Sequence, residues 1–172
     1  YRFGVPIIDM VSGIFTALGI AASLAAKSST GYSPWVSTSL LESALALSAF
    51  QGQGYLSTGK VPSPQGNDHA SLTPYGTFRT ADTPLIIAVG NERQWQQLCT
   101  ILGYPALAQD ARFSTGRDRT NNRDELKPIM EELLAARPAA EWMEAIRTAG
   151  IPCGPIYTYE QAFNDEQVKA LG

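Results

Sequence analysis

Imidazole and thiol chemistry is scarce in this 172-residue chain, which has one histidine, His69, and two cysteines, Cys99 and Cys153. Two cysteines are too few for a disulfide scaffold, and with no secretory signal in view they read as free thiols of a reducing cytoplasm. His69, Cys99 and Cys153 stand at no metal-ligand spacing, so no metal site is expected. One histidine without a nucleophile-elbow motif also gives no arguable Ser-His-Asp triad. A basic excess is missing as well. Thirteen Lys and Arg stand against 16 Asp and Glu, which argues against a nucleic-acid partner, because affinity for a phosphate backbone is built from cations. Charge is sparse at 17%, hydrophobic residues make up 44% and the net charge is −3, so the chain can bury enough apolar surface to offset its ordering entropy. Gly52-Gln53-Gly54 lacks the third glycine of a dinucleotide fingerprint and follows a helical stretch where a strand is required.

What is present begins with an apolar segment. The chain starts at Tyr1 rather than Met and runs almost at once into it, which reads as a cut through a longer protein. From Met10 to Ala26 no residue is charged and apolar or small side chains lie on every side, the pattern of a buried helix. The segment is shorter than the roughly 20 residues of a membrane span, rich in Ala, Gly, Ser and Thr, and without aromatic belts, so no membrane partner is expected. Its small residues let other backbones approach closely. Asp9 takes the N-cap place, Lys27 and Gly31 close the helix, and Pro34–Thr38 reads as a strand whose partners lie upstream.

A second apolar helix is expected over Leu40–Tyr55, and the Pro- and Gly-punctuated stretch Ser57–Pro74 reads as a linker or mobile loop. Tyr75–Arg79 and Leu85–Val89 read as hairpin strands. Asn91 caps a helix whose apolar face carries Trp95, Leu98, Cys99 and Leu102 at helical spacing. Amphipathic helices follow at Asp124–Ala136 and Ala139–Thr148, then a strand at Ile151–Tyr157 and a short helix at Tyr159–Phe163.

Two places suggest chemistry, each beside a plainer reading. A carboxylate at the start of an apolar helix, Asp9, is suited to nucleophilic attack on an activated acyl group if water is kept away. It is equally a good helix cap. Gln65-Gly66-Asn67-Asp68-His69-Ala70-Ser71 combines a flexible backbone with polar side chains, as a lid over a ligand would, or as a solvated turn would. His69 is either a substrate contact or a surface residue of that loop. The run Arg112, Arg117, Arg119, Arg123 and Lys127, interleaved with acidic residues, reads as a solvated ion-paired face.

As an ordered set, several short motifs resemble the family III CoA-transferases, which include formyl-CoA transferase, carnitine CoA-transferase (CaiB/BaiF) and succinyl-CoA-dependent relatives. They are Pro6-Ile-Ile-Asp-Met-Val-Ser-Gly13, Gly19-Ile-Ala-Ala-Ser-Leu24, Thr30-Gly31, Ser39-Leu-Leu-Glu42, Gly66-Asn67, Pro74-Tyr-Gly-Thr-Phe78, Ala88-Val-Gly-Asn91 and Gly150-Ile-Pro-Cys-Gly-Pro155. The resemblance runs along essentially the whole chain. It departs at Thr30-Gly31-Tyr32-Ser33-Pro34-Trp35, where a basic Gly-Gln continuation is usual, and at Ser37, where Asp is common. The Pro74-Tyr75-Gly76 stretch is more similar to the succinyl-CoA, dicarboxylate-using branch than to formyl-CoA transferase.

The resemblance implies that Asp9, in the pattern Asp-x-x-Ser-Gly, is the catalytic nucleophile, and that Gln65, Gly66, Asn67 and His69 belong to a substrate-binding flap. It implies an acyl-CoA donor and a carboxylic acid acceptor, with coenzyme A as substrate and no resident cofactor. It further implies an interlocked homodimer for the full-length protein. The fold expected is α/β: a piece of a Rossmann-like large domain (1–55), a linker and flap (56–73), a smaller α/β domain with a short sheet and flanking helices (74–163), and the start of a return linker (164–172). A fragment of this kind is expected to be inactive alone. Two alternatives stand beside it. One is an α-methylacyl-CoA racemase, which would use Asp9 for proton transfer with an upstream His. The other is a non-catalytic substrate-capping module.

Overall fold

The computed structural model describes residues 4–172. Tyr1, Arg2 and Phe3, which open the expected first domain, lie outside the described residues. The chain falls into two compact units, Tyr1–Pro64 and Gln65–Gly172.

The first unit is helical. Helix α1, Ile7–Thr30, starts after Pro6 and ends where the N–H of Gly31 returns to the carbonyl of Lys27. The start is earlier than the sequence suggested, so Asp9 is not the cap but the third residue of the first turn. Pro6 explains the shift, because its fixed φ suits a helix entry. Helices α2 (Leu40–Leu47) and α3 (Ala49–Thr58) replace the single expected helix, with a break at Ser48. Ser39 caps α2, accepting from the N–H of Glu42 at 3.1 Å.

The strand expected at Pro34–Thr38 is absent. Residues 32–39 carry no regular structure, because a strand needs a ladder partner and none stands in this unit among the described residues. The segment is nevertheless fixed on α1. The Ser23 hydroxyl bonds Ser33 Oγ at 2.8 Å and donates to the Pro34 carbonyl at 2.9 Å. Thr16 meets Thr38, and Val36 packs against the helix at Gly19. Small residues do let a backbone approach, as the sequence suggested, but that backbone is an extended tether.

Burial of α1 is also corrected. Ile14, Leu18 and Leu24 are each about 60% exposed or more within this unit (61%, 65% and 60%). At 24 residues, α1 is long and apolar enough to cross a membrane by length and composition, so the shortness expected from the sequence does not hold.

The second unit is an α/β structure around an antiparallel sheet in the order β1-β2-β3. Strands β1 (Tyr75–Phe78) and β2 (Leu85–Ala88) pair as a hairpin with Tyr75 opposite Ala88 and Phe78 opposite Leu85. Helix α4 (Glu92–Ile101) follows, capped by Asn91. A short 3-10 turn at Pro105–Gln109, helix α5 (Gly116–Asn121), helix α6 (Arg123–Leu134) and helix α7 (Ala139–Thr148) come next. Strand β3 (Cys153–Pro155) returns to pair with β2, and α8 (Tyr159–Asn164) and α9 (Glu166–Leu171) end the chain.

Period-two burial gives the sheet one inner face. Phe78, Leu85 and Ile87 are buried while Tyr75 and Ile86 face out. The helices lay Trp95, Leu98, Cys99, Leu126, Met130, Trp142 and Ile146 on that face to form one core. Each fully buried large side chain contributes about 1.5–3 kcal/mol of transfer free energy, so this cluster dominates the unit's stability.

Candidate active site

In the first unit, the candidate is the opening turn of α1. Asp9 is exposed. Among the described residues its carboxylate has no hydrogen-bond or ion-pair partner within the protein. It stands where the unpaired N–H groups and the helix dipole favour a negative group. Ser12 is turned inward and donates to the carbonyl of Ile8 at 2.7 Å. Gly13, one turn beyond Asp9 and on the same face, has open space where a side chain would stand: a Cβ there meets nothing within 4 Å. The carboxylate is therefore bare, and the backbone beside it is open to an incoming group.

In the second unit, Gln65, Gly66, Asn67 and His69 are brought together in one tight loop. Gly66 has φ +63°, a left-handed conformation that costs other residues about 1 kcal/mol or more. The turn closes with the N–H of Asp68 donating to the carbonyl of Gln65 at 3.2 Å. The N–H of His69 donates to the carbonyl of Tyr75 at 2.8 Å, and its ring stacks on Tyr75 with centroids 4.9 Å apart. Nδ1 of His69 accepts from the N–H groups of Ser71 and Leu72, both at 3.2 Å. The imidazole thus organises the loop's own backbone, and this bonding puts the proton of the neutral ring on Nε2. Gly76 is needed for close approach, since a Cβ there would collide with the Asp68 carboxylate. Asp9 belongs to the first unit and this loop to the second.

The basic run is not the solvated face that its interleaved acids suggested. Arg112 behaves that way, exposed and paired with Asp110 and Glu125, and Arg117 is exposed too. Arg119 is buried, 2% exposed. It donates to both oxygens of Glu92 (2.8 and 3.2 Å), to the carbonyl of Phe113 (3.1 Å) and to that of Thr73 (2.8 Å). Its hydrogen bonds hold the Glu92 carboxyl below the usual range. Arg123 and Lys127 reach the Gln65–Thr73 loop directly. Beside that loop lies a groove of about 490 Å³, lined among others by Ser71, Asn91, Glu92, Gly116, Arg117 and Thr120.

Comparison with known sequences shows the family of the chain. The pattern of CoA-transferase family III matches residues 1–172. The chain belongs to this family. Among the curated relatives of this family III chain is an acetyl-CoA:oxalate CoA-transferase of Acetobacter aceti, 35% identical over 97% of the chain and 43% of the relative. A succinate–glutarate CoA-transferase of Agrobacterium fabrum is 35% identical over 99% of the chain and 43% of the relative. The crystal structure of a CaiB/BaiF family protein from Brucella suis superposes with a TM-score of 0.81 at 33% identity, over all of the chain and 46% of that protein. The family III chain therefore spans under half the length of these relatives, and its folded part is an α/β fragment of the family architecture.

Sequence reasoning missed Arg119, Arg123 and Lys127 as structural anchors of the Gln65–Thr73 loop. A signal was present: Arg123 and Lys127 stand four apart and share a face of α6 with Leu126 and Met130, which are buried. A cation on the buried side of a helix has to find an acceptor.

Proposed function

We propose that the whole protein is a CoA-transferase that moves coenzyme A from an acyl-CoA donor to a carboxylic acid through a covalent intermediate on Asp9. The observation that carries this reading is the bare carboxylate in the first turn of α1 with open space at Gly13, within the pattern Asp-x-x-Ser-Gly. Asp9 attacks the thioester carbonyl, the C–S bond breaks, and an aspartyl anhydride and CoA thiolate result. The thiolate attacks the Asp9 carbonyl, expelling the donor acid and leaving an aspartyl-CoA thioester. The acceptor carboxylate attacks that thioester to give a second anhydride and thiolate. Attack of the thiolate on the acceptor's carbonyl yields the new acyl-CoA and returns the Asp9 carboxylate. Each intermediate is an activated acyl group, so water must be excluded while it exists.

The Gln65–His69 loop is assigned to substrate binding, with the N–H groups around Gly66 and the Asn67 side chain as its donors. Dicarboxylates are the acceptor class we assign, supported by the oxalate and glutarate in the relatives' names. We assign the remaining chain of the longer protein to covering the apolar surface of α1, in place of lipid, and we keep the interlocked homodimer and a cytoplasmic location as part of the same reading. Residues 1–172 alone are expected to be inactive, because CoA binding draws on chain beyond them.

The test is CoA transfer from succinyl-CoA or acetyl-CoA to oxalate and glutarate by the full-length protein. Asp9→Asn is expected to lower kcat at least about a thousandfold. Turnover retained in that variant overturns the assignment. Washed-in deuterium at the α-carbon of a 2-methylacyl-CoA without any CoA transfer would favour the racemase reading instead.

A further inference from the structure

The Gln65–Thr73 loop is polar and contains a glycine, and beside its own hydrogen bonds two cations of one helix tie it down. The guanidinium of Arg123 reaches three loop positions four residues apart. It donates to the side-chain oxygen of Gln65 at 2.7 Å, to the backbone carbonyl of His69 at 2.7 Å and, through Nε and a terminal nitrogen, to the hydroxyl of Thr73, both at 3.3 Å. Lys127, one turn further along α6, places its ammonium 3.0 Å from both oxygens of Asp68 and lies 5.7 Å from the ring centroid of Phe78. The acceptors engaged are at 65, 68, 69 and 73. The Asn67 side chain makes no hydrogen bond among the described residues.

We infer that Arg123, seconded by Lys127, is a positioning residue for substrate binding: it fixes both ends of the Gly66–Asn67 tip so that the tip's donors are presented in one geometry. The inference rests on the reading of this loop as a substrate-binding element. Its physical content is pre-organisation. A planar guanidinium spreads five donors over three nitrogens and so spans Gln65, His69 and Thr73 at once, whereas the three donors of an ammonium radiate from one nitrogen, and a loop held before binding does not spend ligand affinity on being ordered. Arg123 touches no reacting atom, so its effect falls on how substrate is held.

The experiment uses the full-length protein and two readouts. Hydrogen exchange is measured over residues 66–72 with no substrate present, and kcat and KM are measured for succinyl-CoA with glutarate. Arg123→Lys keeps the charge and loses the fork, and is the variant to rely on where Arg123→Ala does not fold. Arg79→Gln is the control, because it removes another ion pair of α6, that with Glu131, without touching the loop. The expected result for Arg123→Lys is exchange at 66–72 at least tenfold faster, with β1 and β2 unchanged, and a five- to fiftyfold rise in KM with a smaller change in kcat. Arg79→Gln should leave all of these within twofold. Unaltered exchange at 66–72 overturns the clamp. Faster exchange with unaltered KM overturns its role in substrate binding. A wild-type protein that transfers no CoA defeats the transferase reading instead, while the exchange measurement still decides the clamp.

Discussion

Arg119 and Glu92 meet in a forked ion pair whose two halves live in different surroundings: the arginine side chain is 3% exposed and the glutamate 52%. The asymmetry decides which loss is worse. Removing Glu92 leaves a guanidinium that cannot regain water, supported by the carbonyls of Thr73 and Phe113 and by the Trp95 ring 5.0 Å away. Removing Arg119 frees a carboxylate that can be hydrated. Breaking a fully buried pair costs about 3–5 kcal/mol, and the exposure of Glu92 reduces that here. Glu92→Leu is expected to destabilise by about 2 kcal/mol in urea unfolding of the second unit. Because the folded pKa of Glu92 is depressed, its stabilisation is present above the ordinary glutamate range and lost as pH falls through the depressed value. Wild type should lose stability on acidification, and Glu92→Gln should flatten that acid limb.

A second carboxylate links distant parts of the same unit. Helix α7 has no capping side chain of its own, since Pro138 precedes it. Oδ1 of Asp82, from the β1–β2 connection, accepts from the N–H of Ala139 at 2.8 Å and from that of Thr83 at 2.7 Å. These bonds, with that from Ala139 foremost, lower the Asp82 pKa. Asp82→Ala should lower Tm and speed amide exchange at 139–142, and the loss should vanish at a pH low enough to protonate Asp82 in the wild type. Unchanged exchange at Ala139 would contradict the cap.

Thiol reactivity separates the two cysteines. Burial pushes the Cys99 thiol up to about 12, and it lies fully inside the core. Cys153 is half-buried, and its pKa is also raised by burial. Since the thiolate is the reactive form, iodoacetamide at pH 8 should label Cys153 slowly and Cys99 only in denaturant. Labelling of Cys99 in the folded protein would contradict the core packing.

Gly13 tests the open space beside Asp9. A glycine within a helix is less stable than alanine by about 1 kcal/mol, and nothing in this unit obstructs a methyl group there. Gly13→Ala should hold or raise Tm, while Gly13→Val should cut kcat/KM for acyl-CoA at least about tenfold by crowding the approach. Full activity in Gly13→Val would place the substrate elsewhere.

The hairpin, the Asn91-capped helix and helix α7 were legible in the sequence because each is specified locally: the hairpin by period-two patterning, the Asn91 helix by period-3.6 patterning and a cap, and α7 by period-3.6 patterning behind Pro138. Pro34–Thr38 was not, because extended backbone becomes a strand only with a partner. Burial of α1 was not legible either: Ile14, Leu18 and Leu24 are exposed within this unit, and all-round apolarity does not say what covers a helix. The loop residues Gln65–His69 were legible as a polar glycine turn. Their anchors on α6, Arg123 and Lys127, were hidden, because charge interleaving along the sequence does not say which cation turns inward.

Asp9 taking up the acyl group is the claim on which the functional account turns. The most direct measurement is peptide mass spectrometry of the full-length protein after incubation with succinyl-CoA and quenching with hydroxylamine. The account predicts a hydroxamate at Asp9 that requires the acyl-CoA and is absent in Asp9→Asn. An unmodified Asp9 peptide from protein that is turning over, or equal turnover in the Asp9→Asn protein, would contradict it.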